Sequence, residues 1–309
     1  MSSPVSFFEN LYYRPKWYHW PVALLLLPLS TVYASVMWIR RVAAKPKNFG
    51  IPIISVGNLL VGGSGKTPMT IELAKRFENV AVVLRGYGRR SEGLFVVSDH
   101  GKISVDVNIS GDEAMLLAKS LPKATVIVAE DRVEAIERAK KMGAKVVFLD
   151  DGFTKVEIEK FDILLYPPKI PNLLPLPSGP FREFPFAKRY ADLVLREGED
   201  FRREVSCEGC DAPMLLVTAI ANPKRLEPYL PKESVVGRML LPDHSWFDKE
   251  SIEKEMKKVG AKRLLVTQKD AVKLEPYGFD MALLKLRLRV DPKVFETVER
   301  WVEKSDTGK

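Results

Sequence analysis

The chain reads as an α/β protein whose sheet is mostly parallel and covered by helices on both faces, with one apolar helix ahead of it. Three observations predict this. Short apolar runs alternate with helical stretches from about residue 47, a glycine-rich turn joins the first such strand to the first helix, and Trp20 to Ile39 contains no charged residue. In an open parallel sheet, ligands gather at the carboxyl ends of the strands, which is where the glycine-rich turn lies.

That turn organises the chain. In Pro52-Ile53-Ile54-Ser55-Val56-Gly57-Asn58-Leu59-Leu60-Val61-Gly62-Gly63-Ser64-Gly65-Lys66-Thr67-Pro68 an apolar strand gives way to glycines and then to a helix opening at Thr67. Glycine lacks the Cβ that would stop backbone N–H groups from curving around a polyanion. The helix behind the turn aims its positive dipole end at the same place. Leu60, Val61, Gly62, Gly63, Ser64, Gly65, Lys66 and Thr67 are therefore the expected nucleotide cradle, with Lys66 on the terminal phosphates and the Thr67 hydroxyl on Mg²⁺. The strict P-loop pattern has glycine where Leu60 stands.

A length of 309 residues suits two domains, and 46% hydrophobic with 28% charged residues is ordinary for a folded protein. A net charge of +8 favours anionic partners, without choosing among nucleic acid, anionic lipid and phosphorylated metabolites. The two cysteines, Cys207 and Cys210, form one C-x-x-C and read as loop thiols, a disulfide or half a metal site being the alternatives.

As a helix, Trp20 to Ile39 is about 30 Å long, close to the thickness of a bilayer core. Trp17, Tyr18 and Trp20 lie at one end and Trp38 at the other, followed by Arg40, Arg41, Lys45 and Lys47, as at a cytoplasmic exit. A cleaved signal or a hairpin broken at Pro21 and Pro28 would fit the same run, but a membrane-embedded or membrane-lying anchor over residues 1–45 is the preferred reading.

Within 46–198, strands are expected at 51–56, 80–84, 94–97, 125–128, 146–149, 163–166 and 192–195, and helices at 67–78, 111–121 and 131–142. Prolines crowd 167–189 and predict a rigid loop. A link at 199–212 leads to a smaller α/β domain over 213–309, with strands at 214–218, 235–241, 263–267 and 281–286 and helices near 248–259 and 292–303.

Several residues have types suited to chemistry. The strand Val146-Val147-Phe148-Leu149 ends in Asp150-Asp151-Gly152, where P-loop proteins keep the acid of the Mg²⁺ shell. Asp112 opens a helix, and the spacing is equally compatible with an N-cap or with a base near the phosphates. His244, in Pro242-Asp243-His244, is by itself more often structural than catalytic. Arg85, in Arg85-Gly86-Tyr87-Gly88-Arg89-Arg90, follows a strand and offers a forked cation to a phosphate, or a solvated loop. Arg182 and Glu183 sit in the proline-rich loop as a fork and an acid, or as a surface ion pair. No lysine precedes the paired glycines as transport ATPases require, and Thr267-Gln268-Lys269-Asp270 has the wrong order to read guanine.

Together these segments resemble one family. They are residues 56–68 of the glycine-rich turn, Leu-Arg-Gly-Tyr-Gly (84–88), Gly-Asp-Glu-Ala (111–114), Glu-Asp-Arg (130–132) and Leu-Asp-Asp-Gly-Phe (149–153). Leu-Pro-x-Gly-Pro-x-Arg-Glu (176–183), Ala-Asn-Pro-x-Arg (221–225), Pro-Asp-His-x-x-Phe (242–247) and Thr-x-Lys-Asp-Ala-x-Lys-Leu (267–274) complete the series. The order is similar to that of the tetraacyldisaccharide 4′-kinases of lipid A biosynthesis. One departure is Thr154-Lys155, where that family usually has Gln-His.

The resemblance implies a RecA-like P-loop kinase domain, a smaller Rossmann-like domain and an N-terminal membrane helix. It implies ATP and Mg²⁺, a tetraacyl-disaccharide 1-phosphate acceptor at the cytoplasmic face of the inner membrane, and no nucleic acid partner. It also implies Asp112 as the base that takes the 4′-hydroxyl proton, His244 as its partner from the second domain, and Lys66 in catalysis. Thr67, Asp150, Asp151 and Glu183 are then expected around the metal, with Arg85 and Arg182 on the substrate's 1-phosphate. A membrane-tethered P-loop ATPase switching a protein partner is the competing function.

Overall fold

The computed structural model describes residues 4–307. Helix α1 (Pro4–Tyr13) and a short 3-10 turn lead into α2 (Trp20–Ala43), which runs without a break through Pro28, so the hairpin alternative does not apply. The N-terminal lobe then alternates strands and helices, with two short elements, β4 and α4, beyond those expected: β1 (Ile53–Gly57), α3 (Lys66–Ala74), β2 (Val80–Leu84), β3 (Phe95–Asp99), β4 (Lys102–Ile103), α4 (Val107–Ser110), α5 (Asp112–Ser120), β5 (Thr125–Val128), α6 (Arg132–Lys141), β6 (Val146–Asp150), β7 (Phe161–Tyr166) and β8 (Leu193–Arg196). They form one sheet in the order β4-β3-β5-β2-β6-β1-β7-β8, parallel except where β3 meets β4 and β5. Val80–Leu84 and Val146–Asp150 are buried along their whole length, as strands covered on both faces must be.

The segment 199–212, expected as a link, holds instead β9 (Phe201–Glu208). Its alternation of buried and exposed residues suits one covered face, and its charge density hid the strand. The second sheet adds β10 (Met214–Thr218), β11 (Val235–Leu240), α7 (Lys249–Val259), β12 (Arg263–Thr267), α8 (Gln268–Leu274) and β13 (Met281–Val290), in the order β11-β10-β12-β13-β9 with β9 antiparallel.

The β9–β13 ribbon bridges the lobes. Ala282, Leu284 and Cys207 belong to the core of the second lobe, whereas Leu288, Val290 and Phe201 join the core of the first. The final helix α9 (Pro292–Thr307) follows them there: Val294 and Val298 are buried in the first core, and Trp301 meets Phe161 at 5.1 Å between ring centroids. Residues 292–307, expected in the smaller domain, thus cover the larger sheet. Cys207 and Cys210, expected as free loop thiols, are joined as a disulfide at the far end of β9.

Helix α2 lies along the first lobe by one stripe. Ala23, Ser30 and Ala34 are buried, and the Ser30 hydroxyl donates to Ser178 Oγ (2.7 Å), which in turn donates to the Ala23 carbonyl (2.8 Å). At its end Arg41 makes a two-pronged bond to Glu183 (2.7 and 2.8 Å) and stacks 4.5 Å over Phe153. Leu25, Leu29, Val32, Val36 and Ile39 face outward and are exposed.

Both members of the Arg41–Glu183 pair are almost fully buried, so removing one strands the other's charge. Glu183→Ala is expected to cost about 3 kcal/mol or more in denaturant unfolding, and Arg41→Met with Glu183→Leu to recover much of that loss.

Candidate active site

The loop after β1 wraps a cleft of about 1640 Å³ between the lobes. Gly62 and Gly65 both take φ of +92°, a left-handed conformation that a side chain strains, and this lets the chain curl before α3. Lys66 is the first residue of α3, and its Nζ lies 3.4 Å from Asn58 Oδ1 and 3.7 Å from Asp151 Oδ1. The near limb of the loop is sewn to the proline-rich segment: Val61 N donates to the Pro180 carbonyl (3.0 Å) and Arg182 N to the Leu59 carbonyl (2.8 Å). Leu60 packs in the cluster with Phe153 and Phe181, so an apolar side chain at that position anchors the loop.

Parallel pairing puts Val56 level with Asp150, which brings the end of β6 to the foot of the loop. The Thr67 hydroxyl donates to Asp150 Oδ2 (2.7 Å) and the Thr70 hydroxyl lies 3.3 Å from Oδ1. Burial raises the Asp150 pKa, and the nearby Glu113 carboxylate adds to the rise. Asp151 has a left-handed backbone (φ 59°) and takes both contacts of Arg182 Nη1 at 3.0 Å. Burial works against its charge, but Lys66 and Arg182 outweigh that and hold its pKa below the usual value. Arg182 is thus engaged on Asp151, and Glu183, expected at a metal, spends both oxygens on Arg41.

From the opposite lobe, His244 (φ 59°) brings its Nδ1 to 3.1 and 3.2 Å from the two oxygens of Asp112. Asp112 does not cap its helix; Gly111 holds the cap position, and the carboxylate accepts the Glu113 amide at 2.9 Å. Burial disfavours the Asp112 anion, yet the bond from His244 and the charges of Lys269 and Lys273 depress its pKa far below normal. Tyr87 packs edge-on against the imidazole at 5.0 Å. Asp112 is buried, while His244, Glu113 and Lys269 line the cleft with Lys66, Thr67 and Asp150. Arg85 is exposed at the end of β2, lines the same cleft and makes no hydrogen bond or ion pair among the described residues.

Sequence reasoning missed several side chains here. Lys269 and Lys273 stand one turn apart on α8, and Lys273 Nζ donates to Asp112 Oδ2 (3.0 Å) and to the Ser245 carbonyl (2.9 Å). Between them Asp270 turns inward to the hydroxyls of Thr218 and Thr267, both at 2.7 Å, fixing the helix. Arg203 reaches the Ser64 carbonyl at 3.1 Å, and Arg225 donates to that of Gly63. Arg132 is buried beside Asp150 and Asp151; burial depresses its pKa to about 10 against the pull of those two acids. Lys269, Asp270, Lys273, Arg225 and Arg132 lie in the motif strings and Arg203 does not; only the fold assigns any of them partners.

A glycine-rich turn and helix start, an acid on the adjacent strand, and a carboxylate–histidine pair across one cleft define a P-loop phosphotransferase. Residues 22–303 match the family model described as tetraacyldisaccharide-1-P 4′-kinase. The chain belongs to that family and is a kinase of lipid A biosynthesis. It is 47% identical to the tetraacyldisaccharide 4′-kinase of Aliarcobacter butzleri, covering 93% of each chain. It is 46% identical to the Helicobacter acinonychis enzyme over 98% of this chain and 96% of that one. It is 40% identical to a Campylobacter jejuni enzyme over 96% and 95%. Among solved structures, LpxK from Aquifex aeolicus in complex with ATP aligns with a TM-score of 0.73 at 26% identity, covering 91% of this chain and 99% of that one. The fold is accordingly a RecA-like kinase lobe, a smaller Rossmann-like lobe and an N-terminal apolar helix.

At Gly65 an added Cβ would keep the left-handed strain and meet Arg203 Nη2 at 3.2 Å. Gly65→Ala is expected to weaken ATP binding about tenfold in calorimetric titration, for a strain of roughly 1–2 kcal/mol.

Proposed function

We propose that the chain transfers the γ-phosphoryl group of ATP to the 4′-hydroxyl of a tetraacyl-disaccharide 1-phosphate held at a membrane surface. The observation that carries this reading is the His244–Asp112 contact of 3.1 Å, formed across the lobes and opening on the same cleft as Lys66 and Thr67. A hydrolytic switch has no need of a base aimed at an acceptor hydroxyl.

Three buried polar atoms near the loop lack hydrogen-bond partners: Ser64 Oγ, Asn58 Nδ2 and Arg132 Nε. Ser64 and Arg132 line the cleft, where a triphosphate would supply acceptor oxygens. Among the described residues no cluster of three acids, histidines or cysteines forms a complete metal cage. That fits Mg²⁺, which is held by one or two protein oxygens plus phosphate and water. Thr67 and Asp150 would hold it, with Asp151 behind them and Glu183 withdrawn from the set. When bound, the ion supplies charge neutralisation on the phosphoryl oxygens.

The family resemblance implied Asp112 as the base; the geometry favours exchanging the two roles. Asp112 is buried behind the ring, whereas His244 borders the cleft. An ionised Asp112 accepts a hydrogen bond from Nδ1–H, which leaves the lone pair on Nε2; Lys269 Nζ stands 3.2 Å from that atom, a contact the acceptor hydroxyl would displace on binding. The hydroxyl proton passes to His244 Nε2 as the oxygen attacks in line, and Asp112 stabilises the imidazolium. Lys66 and the loop amides meet the charge spreading over the transferring group. Arg85 is available to the 1-phosphate, whereas Arg182 remains on Asp151.

The outward face of α2 is proposed to lie in the cytoplasmic leaflet rather than to cross it. From Ala23 to Arg41 the helix is bound to protein along about 27 Å, so a spanning pose would drag the proline-rich loop into hydrocarbon.

Incubation with ATP, Mg²⁺ and the tetraacyl-disaccharide 1-phosphate is expected to add one phosphate to the glycolipid by mass analysis. ATP turnover indifferent to glycolipid would refute the reading in favour of a switch. His244→Ala and Asp112→Asn are each expected to lower kcat by about 100-fold or more, with the KM for ATP changed less than about threefold. Leu25→Asp with Val32→Asp is expected to abolish co-sedimentation with anionic vesicles while leaving the soluble fold intact, because both positions are exposed.

A further inference from the structure

The second lobe contributes more than His244 to the buried carboxylate. Lys273, on α8, is almost fully buried, and its ammonium sits 3.0 Å from Asp112 Oδ2. The same ammonium donates to the Ser245 carbonyl (2.9 Å), next to His244 itself, and lies 6.0 Å from the Trp246 ring centroid and 5.2 Å from that of Phe247. Lys273 is therefore fixed by protein on every side and cannot reach the cleft. Lys269, one turn earlier, is different. It borders the cleft and lies 3.2 Å from His244 Nε2, 3.3 Å from Glu113 and 3.6 Å from Asp243.

We infer that Lys273 is a positioning residue for phosphoryl transfer: it locks the Asp112 carboxylate in the orientation that receives His244 Nδ1, and it makes the dyad conditional on docking of the two lobes. Three donors share the carboxylate, namely the Glu113 amide, Lys273 Nζ and His244 Nδ1. The first comes from the helix that carries Asp112, while the other two come from the opposite lobe. With the lobes apart, Asp112 would retain only its own helix's amide and would turn to water. This inference rests on the reading of His244 and Asp112 given above.

The charges facing the imidazole are Asp112 and Glu113 from α5, Asp243 beside it, and Lys269 and Lys273 from α8, with the Tyr87 ring against it. Removing Lys273 deletes one buried positive charge from this set. The dyad then binds a proton more tightly, and the acid limb of the kcat profile moves to higher pH. A side chain serving packing alone would lower kcat equally at every pH.

The test is the pH dependence of kcat, with the KM for ATP, for the full chain acting on ATP and glycolipid in detergent micelles. Lys273→Met is expected to move the acid limb up by about one pH unit or more, to lower kcat at neutral pH about tenfold, and to leave the KM for ATP within about twofold. Lys273→Arg, which keeps the charge, is expected to keep the wild-type limb at a reduced kcat. If Lys273→Met does not fold, Lys273→Gln takes its place in the comparison. A methionine or glutamine variant with the wild-type limb, or an arginine variant that shifts as far as they do, overturns the inference while the proposed reaction stands. A wild-type chain that transfers no phosphate to the glycolipid overturns both.

Discussion

The register between β1 and β6 is the constraint on which the rest of the site depends. With Val56 opposite Asp150, and with the Asp151 amide donating to the Val56 carbonyl at 2.9 Å, the turn that follows Gly57 and the acid that follows Leu149 must emerge at one edge of the sheet. A slip of one residue would point Asp150 to the other face and break its bond to Thr67. Gly57 holds the same level from the other side, because a Cβ there would stand 2.4 Å from Phe153 Cβ. Cradle and acid are therefore positioned by backbone pairing in the middle of a buried sheet, where displacement is costly.

The other half of the chemistry is positioned by buried charge. Asp112 belongs to the first lobe, and its compensating groups, His244 and Lys273, belong to the second. An uncompensated buried carboxylate is expensive, so the two lobes have an electrostatic reason to meet at this point. The β9–β13 ribbon gives them a mechanical one, since its ends are built into both cores. Helix α9 then returns to the first sheet, so the chain crosses between the lobes more than once.

The cradle was legible from sequence because glycine-rich turns and helix starts are local, and the strands of the first lobe other than β4 because each carries a short apolar run; β4, only Lys102–Ile103 and exposed, offered none. Asp150 could be assigned for the same reason, being the acid at the end of such a run. Glu183 could not. Its neighbours gave an acid near a phosphate-binding loop, and only the three-dimensional path of α2 revealed that Arg41 claims it. Strand β9 was obscured by its charges, which sit on the exposed face of an amphipathic ribbon. The fate of α9 was equally hidden: an amphipathic stripe announces that it will be covered, without saying by which core. The resemblance paired Asp112 with His244, and the fold brings them to 3.1 Å; the order of the two in the proposed proton path is argued from burial, which no spacing encodes.

The N-terminal segment shows how far such non-local pairing extends. Tyr13, the last residue of α1, donates its hydroxyl to the carbonyl of Val61 in the cradle, and burial raises its pKa to about 12. Arg182 hydrogen-bonds to the cradle at Leu59 and to Asp151, while its neighbour Glu183 holds the end of α2. The surface that carries the exposed apolar stripe and the loop that curls around phosphate are thus successive links of one hydrogen-bonded chain. Any displacement of α2 must be absorbed within the few residues between Ser178 and Glu183, and that segment is stiffened by Pro180 and backed by the buried Phe181. For the membrane-held acceptor proposed above, such stiffness would let the protein, and not a flexible tether, set the distance from the lipid surface to the transferred phosphoryl group.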